Sequence, residues 1–309
     1  RTIINALPGN IRKNFPRIEN CPRIVFPHGN QDIYSLIVPT SFYAIMHRLK
    51  IAVFPMKIAW ADPEENLRSV ESMASHVTPG TDILVLPELF STGFMQDTQV
   101  ISALAESIAG ATVTRLKALA RQYGFAVAGS FLCRVGEKIY NRCFFIEPSG
   151  EETYYDKRHL FSLSLEHKVF TPGSKLPPVV RYRGWNISLI VCYDLRFPVW
   201  CRNSRHSYDM MLVPANWPSS RGYAWKHLMI GRAIENQAVY VGANRGGSDD
   251  FGDYDNLSFI TDGLGRIVSN EDKSSGLVYA EFDLDELVKI REKLPFGNDA
   301  DDFSIECGE

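Results

Sequence analysis

Short runs of apolar, β-branched residues alternate along this chain with longer stretches in which apolar side chains recur every three or four positions, and that alternation leaves few architectures open. Residues 50–56, KIAVFPM, read as a first strand. Residues 61–77 read as a helix, with Asp62 at the N-cap, Pro63 at the first helical position and Glu65 completing a capping box. Leu67, Val70, Met73, Ala74 and Val77 form its apolar face. A second apolar strand covers 81–89. A long helical region through Leu104, Ile108, Leu116, Leu119 and Tyr123 closes at Gly124, before the strand at 125–132. The runs at 138–148 and 152–161, joined by the turn PSGE, read as an antiparallel pair. Beyond them lie a strand entering VCYD, a short helix, a strand at 209–218, a helix at 225–237, a strand at 238–245 and a hairpin around DGLGR. The pattern predicts one α/β domain with mixed strands and helices covering sheet faces, and no internal sequence repeat stands out.

That rhythm begins only at Met46. Residues 1–45 mix Pro, Asn and Arg without periodicity, and their apolar patch SLIVPTSFYAIM is short and broken by Pro39, too short for a membrane-spanning helix. We therefore expect an N-terminal extension over 1–45, read as upstream sequence or a cloning artefact, and a domain over 46–309. A chain of 309 residues with 45% hydrophobic residues can bury a sizeable core. Its net charge of −3, with both signs spread along the chain, gives no basic stripe for nucleic acid, and small-molecule work is the expectation. The six cysteines, Cys21, Cys133, Cys143, Cys192, Cys201 and Cys307, include no CxxC pair and read as reduced thiols of a cytoplasmic protein. The seven histidines show no metal-ligand spacing, so neither a metal nor another cofactor is expected.

Three apolar strands finish in reactive residues: Glu88 after DILVLP, Lys157 after TYYD and Cys192 after ISLIV. In α/β folds strand ends expose chemistry, and a carboxylate, an ammonium and a thiol beside a core are costly unless they satisfy one another. Converging, they would make a base, an oxyanion donor and a nucleophile. Singly, each has a plainer reading: a small buried thiol, a turn-capping glutamate, a solvated lysine, and Asp194 with Arg196 as an ion pair at a helix entrance.

The strings LVLPELFSTGF, YYDKRHLF and LIVCYDLRFPVW, in that order, resemble the nitrilase superfamily of carbon–nitrogen hydrolases, and the likeness extends through ANWP, RAIENQAVYVGANR and DGLGRI. The resemblance implies a four-layer αββα sandwich of two mixed sheets. It also implies Glu88 as general base, Lys157 as oxyanion-stabilising lysine, Cys192 as nucleophile, and Glu166 in LEHKVFTPG positioning the lysine and the substrate amide or assisting proton transfer. The implied reaction is amide hydrolysis through a cysteine thioester, with the Tyr193 N–H completing the oxyanion site and no cofactor. The strings are most similar to the omega-amidase branch, which implies the terminal amide of a 2-oxo acid such as 2-oxoglutaramate or 2-oxosuccinamate as substrate. Aliphatic amides, N-carbamoyl compounds, nitriles and a catalytically silent binding role stay open as alternatives. The far carboxylate of such a substrate needs a cationic partner, for which Arg196 is a candidate unless it pairs with Asp194. Phe94, Tyr193 and Trp217 are candidate pocket walls. The family's habit of pairing implies a homodimer, with a helix at FPVWCRN contributing unless Trp200 and Cys201 are simply core.

Overall fold

The computed structural model describes residues 47–307, apart from Gln96 and Asn256. The extension assigned to 1–45 lies outside the described residues. In the first sheet, β1 (Arg48–Val53), β2 (Ile83–Val85), β3 (Ala126–Val135), β4 (Lys138–Ile146) and β5 (Glu152–Asp156) are joined by β13 (Asn270–Glu271) and β14 (Val278–Asp283), in the order β13-β14-β1-β2-β3-β4-β5. The second sheet takes β6 (Val179–Tyr182), β7 (Trp185–Leu189), β8 (Met210–Ala215), β9 (Val239–Asn244) and β12 (Phe259–Thr261), in the order β12-β9-β8-β7-β6. A separate hairpin joins β10 (Ser248–Asp249) to β11 (Gly252–Asp253).

Both sheets follow one plan. Strands β1, β2 and β3 are parallel and flanked by antiparallel neighbours, and so are β7, β8 and β9. The repeat absent from the residues is thus present in the topology.

The layers follow from the two-residue alternation of side chains along a strand. Leu49, Ile51 and Val53 of β1, with Ile83 and Val85 of β2, enter the core shared with Trp185, Ile187 and Leu189 of the second sheet. Ala52, Leu84 and Leu86 enter a separate core under α1 (Pro63–Ala74) and α3 (Ala111–Tyr123). On the opposite side α5 (Gly222–Asn236) lays Trp225, Met229 and Ala233 against the second sheet. Gly242 permits this contact, because a Cβ there would meet Trp225 at 2.8 Å and Met229 at 2.9 Å. Helix, sheet, sheet and helix make the expected four layers.

The α1 cap forms as its sequence predicts, Asp62 accepting from the Glu65 N–H at 3.0 Å. The expected single long helix is two, α2 (Thr98–Leu104) and α3, and Ile108 between them is exposed rather than on an apolar face. The expected helix at FPVWCRN is a turn at 198–201 that follows a 3-10 turn, Cys192–Arg196. The DGLGR turn forms, but only one bridge, Thr261 to Ile267, joins its arms. The chain then crosses to the first sheet as β13 and β14 and continues into α6 (Leu284–Lys293) and a 3-10 turn (Phe296–Asp299), elements absent from the sequence-based expectation. Among the described residues no helix is long and apolar enough to cross a membrane.

Candidate active site

Glu88, Lys157 and Cys192 each lie just past a strand, β2, β5 and β7 respectively, and the packing of the two sheets brings them to one place. Lys157 Nζ donates to Glu88 Oε1 at 2.8 Å and to Glu166 Oε1 at 2.7 Å. Glu166 opens the short helix α4 (Glu166–Val169), and its other oxygen accepts from the Phe161 N–H. All three charged groups are buried, with residue exposures of 1% for Glu88, 2% for Lys157 and 2% for Glu166. Unpaired charges could not persist there, so the two carboxylates and the ammonium depend on one another.

Backbone contacts hold the lysine as closely as the ion pairs do. The Lys157 N–H donates to the Asn141 carbonyl at 3.0 Å, and the Lys157 carbonyl accepts from the Gly173 N–H at 2.9 Å. Gly173 lies so close that a Cβ would stand 2.0 Å from the Asp156 carbonyl oxygen. Glu88 is equally constrained. Its Oε1 also accepts from Asn141 Nδ2 at 2.8 Å, its Oε2 from the Asn216 N–H at 2.8 Å, and its carbonyl from Asn216 Nδ2 at 2.6 Å.

Cys192 sits in the left-handed region, with φ 44°, at the sharp change from β7 to the 3-10 turn. A non-glycine residue is rare in that conformation and is held by its surroundings. Here Asp194 holds it. Its fully buried carboxylate accepts from the Val191 N–H at 3.1 Å and Tyr155 Oη at 2.8 Å, and from the His159 N–H at 2.9 Å and ring Nδ1 at 2.7 Å. One side chain thereby ties the segment around Lys157 to the turn bearing the thiol.

The electrostatics follow from burial and from these neighbours. Burial raises the Cys192 pKa, and the charge and hydrogen bond of Glu88 raise it further; Lys157 opposes them but loses, and the thiol stands well above its ordinary value. Burial pulls Lys157 down, but Glu166 and Glu88 outweigh it and hold the ammonium well above its usual pKa. Burial raises Glu166 against the opposing pull of Lys157. The resting pair is therefore a neutral thiol beside a charged lysine.

A cavity of about 250 Å³ opens over Cys192. Phe94, Tyr193, Arg196 and Trp217, the four expected pocket residues, all line it. The alternative pairing of Arg196 with Asp194 does not form: the guanidinium stacks over the Trp217 ring at 4.7 Å, and no ion pair engages it among the described residues. Asn216, Arg221, Phe161 and Tyr254 also line the cavity and were missed by sequence reasoning. Arg221, four residues after Trp217, lies over the Phe161 ring at 5.1 Å and likewise has no ion pair among the described residues. Its signal was available in ANWPSSR, one turn beyond a strand end. Among the described residues no cluster of His, Cys, Asp or Glu is placed to hold a metal ion.

Residues 50–292 match the carbon-nitrogen hydrolase family model. The chain belongs to the carbon-nitrogen hydrolase family. As a member it is a hydrolase of carbon–nitrogen bonds other than peptide bonds. It is 38% identical over 262 residues to the omega-amidase YafV of Escherichia coli (strain K12), a match covering 84% of this chain and 100% of that one. It is 33% identical to the 2-oxoglutaramate amidase of Bacillus subtilis (strain 168), over 81% of this chain and 96% of the relative. Among solved structures it resembles XC1258 from Xanthomonas campestris, a CN-hydrolase superfamily protein with an arsenic adduct in its active site. That likeness has a TM-score of 0.78 at 34% identity and covers 84% of this chain and 99% of the other.

Proposed function

We propose that this carbon-nitrogen hydrolase is an omega-amidase, releasing ammonia from the terminal amide of a small 2-oxo acid such as 2-oxoglutaramate or 2-oxosuccinamate. The observation that carries this reading is a pair of guanidiniums, Arg196 and Arg221, that line the cavity over Cys192 without a carboxylate partner among the described residues. A guanidinium left unpaired beside a small cavity suits a planar carboxylate, which it binds bidentately. The naming of the E. coli and B. subtilis relatives supports the same substrate class.

In the first half-reaction the Cys192 sulfur attacks the amide carbon while Glu88 takes the thiol proton. The raised thiol pKa makes this general-base step necessary, since little thiolate exists at neutral pH. The oxyanion forms between Lys157 and the N–H of Tyr193. Two of the three Lys157 ammonium hydrogens are engaged by Glu88 and Glu166, which leaves the third for the oxyanion. Glu88 then passes its proton to the amide nitrogen, the C–N bond breaks and ammonia leaves. In the second half-reaction Glu88 takes a proton from water, hydroxide adds to the thioester, and the carboxylic acid departs as the thiol recovers its proton. Glu166 positions the ammonium throughout, and Phe94, Tyr193 and Trp217 wall the substrate. The activity belongs to residues 46–309 in a cytoplasmic homodimer, with 1–45 outside it.

The test is ammonia release from 2-oxoglutaramate, 2-oxosuccinamate, glutamine, asparagine, a simple aliphatic amide and a nitrile, by the parent, Cys192→Ala and Arg221→Ala proteins. We expect fast turnover of the 2-oxo amides and none above background with Cys192→Ala. Arg221→Ala should raise KM for the 2-oxo amides about tenfold or more and leave the aliphatic amide unaffected. Turnover confined to the other compounds would discard the substrate while keeping the thiol chemistry.

A further inference from the structure

Asn141 is a polar residue on the buried face of strand β4, where Ile139 and Cys143 flank it, and it is 1% exposed. Its Nδ2 donates to Glu88 Oε1 at 2.8 Å, on the same oxygen that accepts from Lys157. Its main-chain carbonyl accepts the Lys157 N–H at 3.0 Å. A single residue thus holds the proposed base by its side chain and the proposed oxyanion lysine by its backbone. The amide orientation follows from the carboxylate, which only accepts, so nitrogen and not oxygen must face it.

That arrangement carries a cost at the other end of the amide. Among the described residues, the buried Asn141 Oδ1 has no hydrogen-bond partner. Leaving a buried acceptor unsatisfied is destabilising, whereas an apolar side chain of the same shape would face no such penalty. A strand selected for packing alone would carry Leu at this position, as its neighbours Ile139, Cys143 and Phe145 illustrate.

We propose that Asn141 is a positioning residue for the amidase reaction, aiming the Glu88 carboxylate at the Cys192 thiol. This rests on the reading of Glu88 as the general base. A hydrogen-bond donor on a carboxylate favours its charged form, and Asn141→Leu removes one such donor from Glu88. Among the described residues, the charged and titratable groups around Glu88 are Lys157 beyond β5, Glu166 on α4, Cys143 on β4, Cys192 beyond β7 and Tyr254 beyond β11. None of them is substituted in an Asn141 variant, so a displaced pH limb would report the lost donor.

The experiment compares the parent, Glu88→Gln, Asn141→Leu and Asn141→Asp full-length proteins by kcat and KM for 2-oxoglutaramate from pH 5 to 9, and by thermal unfolding. For Asn141→Leu we expect kcat about 10–100-fold lower at neutral pH, the loss of one hydrogen bond to a charged group. KM should change less than about threefold and the acid limb of kcat/KM should move to higher pH, with thermal unfolding read separately for stability. A Tm loss with kcat and acid limb unchanged would make Asn141 merely structural and overturn the proposal. If Asn141→Leu fails to fold, the isosteric Asn141→Asp decides: a second carboxylate beside Glu88 moves the acid limb upward if the contact matters, and an unmoved limb overturns the proposal. Failure of the underlying reading looks different, with the parent inactive on every amide or Glu88→Gln as active as the parent.

Discussion

Lys157 is a buried cation shared by two carboxylates, and its removal tests how the site survives its own charges. In Lys157→Met, Glu88 and Glu166 would face each other without compensation. Breaking a buried pair in this way costs about 3–5 kcal/mol. The cost should depend on pH in a defined direction. Burial already raises Glu166 above its ordinary 4.5 and Lys157 pulls it down, so loss of the lysine raises it further. A carboxyl with a raised folded-state pKa is unpenalised below its unfolded value and loses stability as pH climbs through the folded one. Urea unfolding should therefore show a deficit at pH 8 that shrinks at pH 5, and equal deficits at both would argue against the shared cation. Glu88, Lys157 and Cys192 were legible because each ends an apolar run, where a charged or reactive group demands explanation. Asn141 carried a similar signal, a polar residue inside a strand, but its partner lies far away in sequence and nothing local names it.

At the scale of elements, the Asp194 strap joins the end of β5 to the turn that bears the thiol. His159, which donates to it, also stacks on Phe197 with ring centroids 3.7 Å apart, so the strap is packed as well as hydrogen-bonded. Asp194→Asn replaces an acceptor oxygen with a donor facing donors, at a cost of about 2–3 kcal/mol. We expect Tm to fall, and kcat and the rate of Cys192 alkylation by iodoacetamide to fall with it while KM stays close to the parent's. Unchanged alkylation would show that the turn keeps its shape without the strap. Other elements show where local patterns are overridden. The helical periodicity through 104–123 breaks because Glu106 pairs with β3: its N–H donates to the Leu132 carbonyl at 3.2 Å and its carbonyl accepts the Arg134 N–H at 2.8 Å. Its carboxylate then accepts the Thr112 N–H at 3.1 Å and caps α3. The segment 197–203 is a turn because Trp200 and Cys201 are drawn into the core, with Trp200 Nε1 donating to Tyr155 Oη at 2.8 Å.

For the whole molecule, the proposed homodimer places the turn at 197–203 between copies. Val199 at its tip is 57% exposed, while Trp200 and Cys201 behind it are buried within the chain. Equilibrium sedimentation should give about twice the chain mass, and Val199→Asp should shift the distribution towards monomer; a parent that sediments only as monomer would remove the dimer from the proposal. Within one chain, local information was enough for much of the architecture. Periodicity marked most strands and the capped helix α1, because side-chain alternation and caps are properties of neighbouring residues, while the four layers were implied by the resemblance that three ordered motifs carried. The active constellation is of another kind. Glu88 and Lys157 leave the first sheet and Cys192 the second, so their meeting depends on how two sheets stack across a common core. The same stacking gave Asp194 its partners Tyr155 and His159, set Arg221 over the cavity and turned Asn141 towards Glu88. Such contacts join residues far apart in the chain and are set by packing, on which local propensity has no hold.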